Sequence, residues 1–170
     1  NLITASGNKN TAGDSGAGLH VLGTSAELNI KNMSIVANGN GTQGMSVNRG
    51  KLSVVGEAGG SNYIQANNNV STTIGNGTGL YANNAGAQLI IENMDVEANS
   101  NGRYGLAAHG GASLNISGIS GYNTLNVNNN VHGGLQTTGA NSIIEIKDML
   151  INASGNTLFT VEDNAKVDLN

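Results

Sequence analysis

Ile64-Gln65-Ala66-Asn67-Asn68-Asn69 recurs as Leu125-Asn126-Val127-Asn128-Asn129-Asn130, and an earlier copy stands at Ile3-Thr4-Ala5-Ser6-Gly7-Asn8. The copies begin at residues 3, 64 and 125, a constant offset of 61 residues. The same offset carries Gly18-Leu19 to Gly79-Leu80, Leu28-Asn29-Ile30-Lys31-Asn32-Met33 to Leu89-Ile90-Ile91-Glu92-Asn93-Met94, and Gly44-Met45 to Gly105-Leu106. A period kept over most of a chain marks a solenoid, in which each repeat packs mainly on its neighbours.

Each 61-residue unit contains two smaller turns built on one template. A Gly precedes an apolar pair two residues apart: Leu19/Val21, Met45/Val47, Leu80/Ala82, Leu106/Ala108 and Leu135/Thr137, with Leu158 ahead of Phe159/Val161 in the last turn. Alternate strand residues share a face, so both members of a pair can point inward. A second set follows: Leu28/Ile30, Leu52/Val54, Leu89/Ile91, Leu114/Ile116, Ile144/Ile146 and Val167/Leu169. A third short run carries Ile35/Ala37, Ile64/Ala66, Val96/Ala98, Leu125/Val127 and Ile151/Ala153. Three short strands per turn with uneven spacing predict an all-β chain: a right-handed parallel β-helix (a β-solenoid) of about six coils. The coils start near residues 18, 44, 79, 105, 134 and 158, and 1–170 forms a single β-helix domain. Both ends of the pattern leave strand edges open, as expected of a segment of a longer solenoid.

The Gly residues heading each coil are expected at sharp corners, where positive φ favours them. Asn tolerates left-handed backbone geometry and bonds local backbone, so Asn38, Asn67, Asn99 and Asn128, continued by Ser154, are expected to stack as a ladder. Asn32, Asn93 and Asp148 form a second corner column, followed by Met33, Met94, Ile119 and Met149 as adaptable core filler.

Composition narrows the function. Aromatics make up 3% of the chain and charges 11%, so the core is thin and aliphatic. A net charge of -4 with seven scattered Lys and Arg offers no basic patch for nucleic acid. No apolar run reaches the roughly 20 residues that span a bilayer, so no membrane insertion is expected. There is no Cys and hence no disulfide or thiolate metal site.

Chemistry-bearing residues are sparse. The densest acidic group is Glu92, Asp95 and Glu97. Ca²⁺ wants six to eight oxygen ligands, and the aligned positions Lys31, Ser34, Val36, Lys147, Leu150 and Asn152 supply no further carboxylate. No metal site and no cofactor is therefore expected, and Lys31 and Lys147 are expected to pair with the acidic group. His20, His109 and His132 fall at different template positions, which argues against a shared His site. No catalytic residue stands out. Outward positions of the first strand read His20, Ser46, Tyr81, Ala107, Gln136 and Thr160, beside Leu22, Asn48, Asn83, His109, Thr138 and Glu162. Such a polar strip with an occasional Tyr suits a glycan chain; its candidate ligand-binding residues are Tyr81, His109, His20, Asn83 and Gln136. The two expanded coils each carry a Tyr near the return to the third strand, Tyr63 and Tyr122, and these are expected to meet on one edge as further ligand contacts.

Gly79-Leu80-Tyr81-Ala82, Leu89-Ile90-Ile91-Glu92-Asn93-Met94-Asp95-Val96 and Asn99-Ser100-Asn101-Gly102 resemble the pectate-lyase-like adhesive domains of Gram-positive bacterial surface proteins. The resemblance covers nearly the whole chain. It implies a right-handed β-helix, secretion, attachment to the bacterial cell surface through regions outside this chain, and adhesion to a host or matrix glycan or protein. The polygalacturonase-like pattern of Asn-Thr-Asp, Asp-Asp and Arg-Ile-Lys elements is missing, and Ala108-His109-Gly110 only approaches its Gly-His-Gly. A non-catalytic adhesin segment is thus the favoured function. A polysaccharide-active lyase or phage tailspike-type hydrolase is the alternative, and a passive stalk a further one.

Overall fold

The computed structural model describes residues 1–9, 16–71, 77–155 and 157–170. It is a right-handed parallel β-helix of six coils, each contributing one strand to each of three six-stranded parallel sheets. The first sheet contains β1 (Leu2–Thr4), β4 (Ser34–Val36), β7 (Tyr63–Gln65), β10 (Asp95–Glu97), β13 (Thr124–Asn126) and β16 (Leu150–Asn152). The second contains β2 (Leu19–Leu22), β5 (Gln43–Asn48), β8 (Thr78–Asn83), β11 (Tyr104–His109), β14 (Gly133–Thr138) and β17 (Phe159–Val161). The third contains β3 (Glu27–Lys31), β6 (Lys51–Val55), β9 (Gln88–Glu92), β12 (Ser113–Ser117), β15 (Ile143–Lys147) and β18 (Lys166–Leu169).

Register follows the apolar template. Leu19, Met45, Leu80, Leu106, Leu135 and Phe159 pair in one column, and Leu28, Leu52, Leu89, Leu114, Ile144 and Val167 in another. A one-residue slip would turn every such column outward, so the buried face fixes the pairing. The middle coils bury these columns completely, whereas Val161 and Leu169 of the last coil are about half exposed.

The glycines that head the coils have a different cause from the one their sequence position suggests. None of Gly18, Gly44, Gly79, Gly105 and Gly134 has positive φ. A Cβ on Gly79 would stand 2.6 Å from the Gly105 carbonyl oxygen and 2.8 Å from Ala98 Cβ. Gly18, Gly44 and Gly105 meet the next coil's glycine carbonyl in the same way. The column is therefore small because adjacent coils and the Ala column of the first sheet close on it.

Left-handed geometry lies instead at other positions, found at all three corners; between the second and third sheets it is carried by Arg49, Asn84, Asn141, Asp163 and Asn164. Between the third and first sheets, Asn32, Asn93 and Asp148 have φ of 52°, 54° and 53° and make the tight turn of the short coils. The long coils place Gly56 and Gly118 at that level, where a Cβ would meet the sulfurs of Met94 and Met149 at 2.8 and 2.5 Å. Met94 is fully buried, and Met33 and Met149 pack against the core. Ile119 does not join this column. It opens the long-coil loop, its carbonyl accepting from Tyr122 and Asn123 N–H.

Between the first and second sheets, the Asn ladder forms as the sequence suggests. Asn38 N–H donates to Ser6 Oγ, and Asn67, Asn99 and Asn128 N–H each donate to the preceding Asn Oδ1 at 2.7 Å, with Ser154 N–H at 2.8 Å completing the column. A second ladder, unforeseen, stands two residues on. Asn40 Oδ1 accepts from both N–H and Nδ2 of Asn8; Asn69 Oδ1 does so from Asn40, Asn101 Oδ1 from Asn69, and Asn130 Oδ1 from Asn101, at 2.9–3.1 Å. Asn130 Nδ2 donates to the Ala98 carbonyl. Asn40, Asn69 and Asn101 are fully buried. A buried amide is tolerable because it is hydrogen-bonded, and the ladder achieves this for backbone and side chain together. The residue between the two ladders, Gly39, Asn68, Ser100 or Asn129, is left-handed with φ of 55–66°.

Candidate functional site

The outer face of the second sheet collects most of the aromatic and imidazole groups. His20 lies on β2, Tyr81 on β8, Tyr104 and His109 on β11, and His132 one residue before β14. Backbone pairing places His20, Ser46, Tyr81, Ala107, Gln136 and Thr160 in one column. Leu22, Asn48, Asn83, His109 and Thr138 form the next.

Five expected ligand contacts, Tyr81, His109, Gln136, His20 and Asn83, are brought to this one face. Tyr81 Oη lies 3.2 Å from His109 Nδ1, and His109 Nε2 lies 2.8 Å from Gln136 Oε1. Gln136 Oε1 only accepts, so Nε2 carries the proton and Nδ1 accepts from the Tyr81 hydroxyl. The two rings meet edge to face, centroids 5.1 Å apart at 87°, a favoured aromatic geometry. Beneath them Ala107, although outward, is fully buried. Burial pushes the Tyr81 phenol upward, partly opposed by Arg103. Burial likewise pushes His109 below the usual imidazole value; the Gln136 bond and Glu162 oppose this, and Arg103 adds to it. His109 is thus a neutral hydrogen-bonding ring at neutral pH.

On the N-terminal side, His20 Nδ1 lies 2.6 Å from Ser46 Oγ. Between His20 and Tyr81 a cavity of about 180 Å³ opens over β5, lined by His20, Gln43, Ser46, Val47, Asn48, Tyr81 and Asn83. On the other side Arg103 stacks on Tyr104 at 5.2 Å, and Tyr104 contacts His132 with centroids 5.8 Å apart. The three histidines share a face while standing at different register positions, and among the described residues no three His, Asp or Glu side chains are placed to hold a metal ion.

Tyr63 and Tyr122 do not form a pair. Tyr63 begins β7, its N–H donating to Ser34 Oγ, in register with Asp95. Tyr122 lies in the loop before β13 and is 71% exposed. Each loop is closed by an Asn side chain: Asn62 Oδ1 accepts from Glu57 N–H, and Asn123 Oδ1 from Ile119 N–H. The second loop is one residue shorter and its Tyr precedes the closing Asn, whereas Tyr63 follows it. The two rings therefore occupy different levels.

The acidic group is likewise dispersed. Asp95 Oδ1 accepts from Thr124 N–H and Oγ1, and Glu97 Oε2 from Gln65 Nε2 and Asn67 Nδ2. Lys147 pairs at 2.8 Å with Glu145 on its own strand instead of with Glu92. Lys31 and Lys147 stand in register with Val55 and Ser117, and those two with Glu92, so each Lys lies two coils from that carboxylate. No protein-family model matches the chain, and neither the curated proteins nor the solved structures searched contain a match.

Proposed function

We propose that this β-helix is a non-catalytic bacterial cell-surface adhesin segment whose second-sheet face binds a host or matrix glycan or protein. The supporting observation is the concentration of His20, Tyr81, Tyr104 and His109 on one sheet, with His132 directly before its strand β14, in a chain otherwise poor in rings. Ring faces stacking on apolar sugar faces, with Asn, Gln and Ser side chains for hydroxyls, is the chemistry such a face offers. Secretion and wall attachment through regions outside this chain belong to the same reading, which needs neither Ca²⁺ nor another cofactor. The alternative, a polysaccharide-active enzyme, is favoured by one feature: Tyr81 hydrogen-bonded to a neutral His109, a pairing able to move a proton. A glycan and matrix-protein array, read for wild type and for Tyr81→Ala and His109→Ala, tests the adhesin. Retention on the array that both variants lose is expected. Release of unsaturated or reducing-end products from a polysaccharide panel would replace adhesin with enzyme, and an array with no retention at all would leave a stalk.

A further inference from the structure

The second-sheet face is not the flat strip that its column of outward residues suggests. Tyr81, His109 and Gln136 fill its centre with a hydrogen-bonded layer. This layer closes one side of the cavity, and His20, leaning on Ser46, closes the other. The opening between them follows β5 from Gln43 to Asn48, across the coil stack. Strands β2 and β8 flank β5, so the walls stand about 10 Å apart, twice the strand spacing. A volume of about 180 Å³ is below the roughly 300–1,000 Å³ of pockets that engulf a whole small molecule.

Resting on the reading of this face as a glycan-binding one, we infer that the slot over β5 seats a single neutral pyranose unit between Tyr81 and His20, with the rest of the glycan projecting into solvent. Width and volume admit one ring. Neutrality follows from the lining: it contains no Asp, Glu, Lys or Arg. Its side-chain amides both donate and accept, as sugar hydroxyls do. The Gln43 and Asn83 amides have no hydrogen-bond partner among the described residues, so both are available. Asn48 Oδ1 already accepts from Asn84 Nδ2 at 2.9 Å and from Arg49 Nε at 3.5 Å, which holds that guanidinium outside the lining and leaves the Asn48 Nδ2 to donate. The floor, Ser46, is 2% exposed. Tyr81 is held by His109, and a ring fixed in advance loses little freedom on binding.

The test is a titration of the ¹⁵N-labelled chain with methyl glycosides of neutral hexoses, of N-acetylhexosamines and of a uronic acid, followed by amide and side-chain NMR shifts. Neutral methyl glycosides are expected to move Gln43, Ser46, Asn48 and Asn83 signals saturably. Tyr81→Ala should weaken this more than tenfold, while Tyr81→Phe, which keeps the ring, loses only a few-fold, and Lys31→Ala on the third sheet changes nothing. Preference for the uronic acid would overturn the neutral assignment. Longer glycans that bind while no monosaccharide moves these signals would overturn the single-unit slot and leave the binding face standing. Absence of binding by both would remove the slot and the glycan reading together.

Discussion

Replacing Asn101 by Ala should damage this fold far more than replacing Asn99, two residues away on the same corner. Asn101 Oδ1 accepts from the N–H and the Nδ2 of Asn69 at 3.0 and 3.1 Å, and its own amide donates to Asn130 at 3.0 Å; Asn69 and Asn101 are fully buried. Truncation strands two buried donors of Asn69. At about 1–3 kcal/mol for each stranded group, the loss is roughly 2–6 kcal/mol, a large part of the roughly 5–15 kcal/mol that holds a domain together. Among the described residues Asn99 Oδ1 accepts from Asn128 N–H alone, and it is half-buried, so water replaces it at about 1 kcal/mol. Urea unfolding followed by far-UV circular dichroism measures both, with intrinsic fluorescence from the tyrosines checking that one transition is seen. Asn101→Asp adds a sign. The new carboxylate would face the Asn130 oxygen, so its folded pKa rises. The stability it retains is then greatest below about pH 3.9, the unfolded value, and is lost as pH rises through the folded pKa. An Asn101→Ala midpoint within about 0.5 kcal/mol of Asn99→Ala would refute the buried-ladder argument.

Three further outcomes are expected. Thr137 is fully buried and its Oγ1 has no hydrogen-bond partner among the described residues; Thr137→Val keeps the shape and should stabilise by about 1–2 kcal/mol, a rise of roughly 2–4 °C per kcal/mol in a chain of this length by calorimetry. Gly79→Ala drives a Cβ into the Gly105 carbonyl and should cost upwards of about 3 kcal/mol, whereas Gly59→Ala, with φ of 72° and open space, should cost about 1 kcal/mol; equal midpoints would contradict the close-approach explanation. His109 has a depressed pKa, so its stabilising effect is present above about pH 6.5, the unfolded value, and is lost as pH falls through the lower folded value. A His109→Gln variant should show a flatter dependence of Tm on pH below neutrality, and identical slopes would remove the argument.

Period-2 apolar pairs made the three sheets readable because each pair has only one side on which to bury. Asn38 and its successors were readable because an Asn directly after a strand suits a corner. Asn40, Asn69 and Asn101 keep the same spacing, yet an Asn in a turn-rich segment reads as surface. Its burial arises only when five coils stack and every amide finds the next. The signal available was the Asn-x-Asn pattern itself, present in Asn67-Asn68-Asn69 and Asn128-Asn129-Asn130. Gly79 was located but credited with conformational freedom, because the atoms that exclude its Cβ belong to other coils. At the site, columns follow from register, so Tyr81 and Gln136 were legible together. The slot beside Tyr81 depends on which way that ring leans, which is decided by His109 one coil away.

The double ladder also bears on how this molecule ages. Asn followed by Gly is the sequence most prone to spontaneous loss of ammonia, in which the Gly nitrogen attacks the Asn side-chain carbonyl carbon to give a cyclic imide. Asn38-Gly39, Asn40-Gly41 and Asn101-Gly102 are such pairs. In each, the Gly N–H already donates to a carbonyl one coil away, Asn67, Asn8 and Asn69 respectively, at 2.9–3.0 Å. The side-chain amides of Asn40 and Asn101 are clamped from both sides. The nucleophile and the carbon it must reach are held apart for as long as the coils stay stacked. Deamidation at these three sites therefore becomes a clock that runs only during excursions out of the native coil, and its rate counts how often the stack opens.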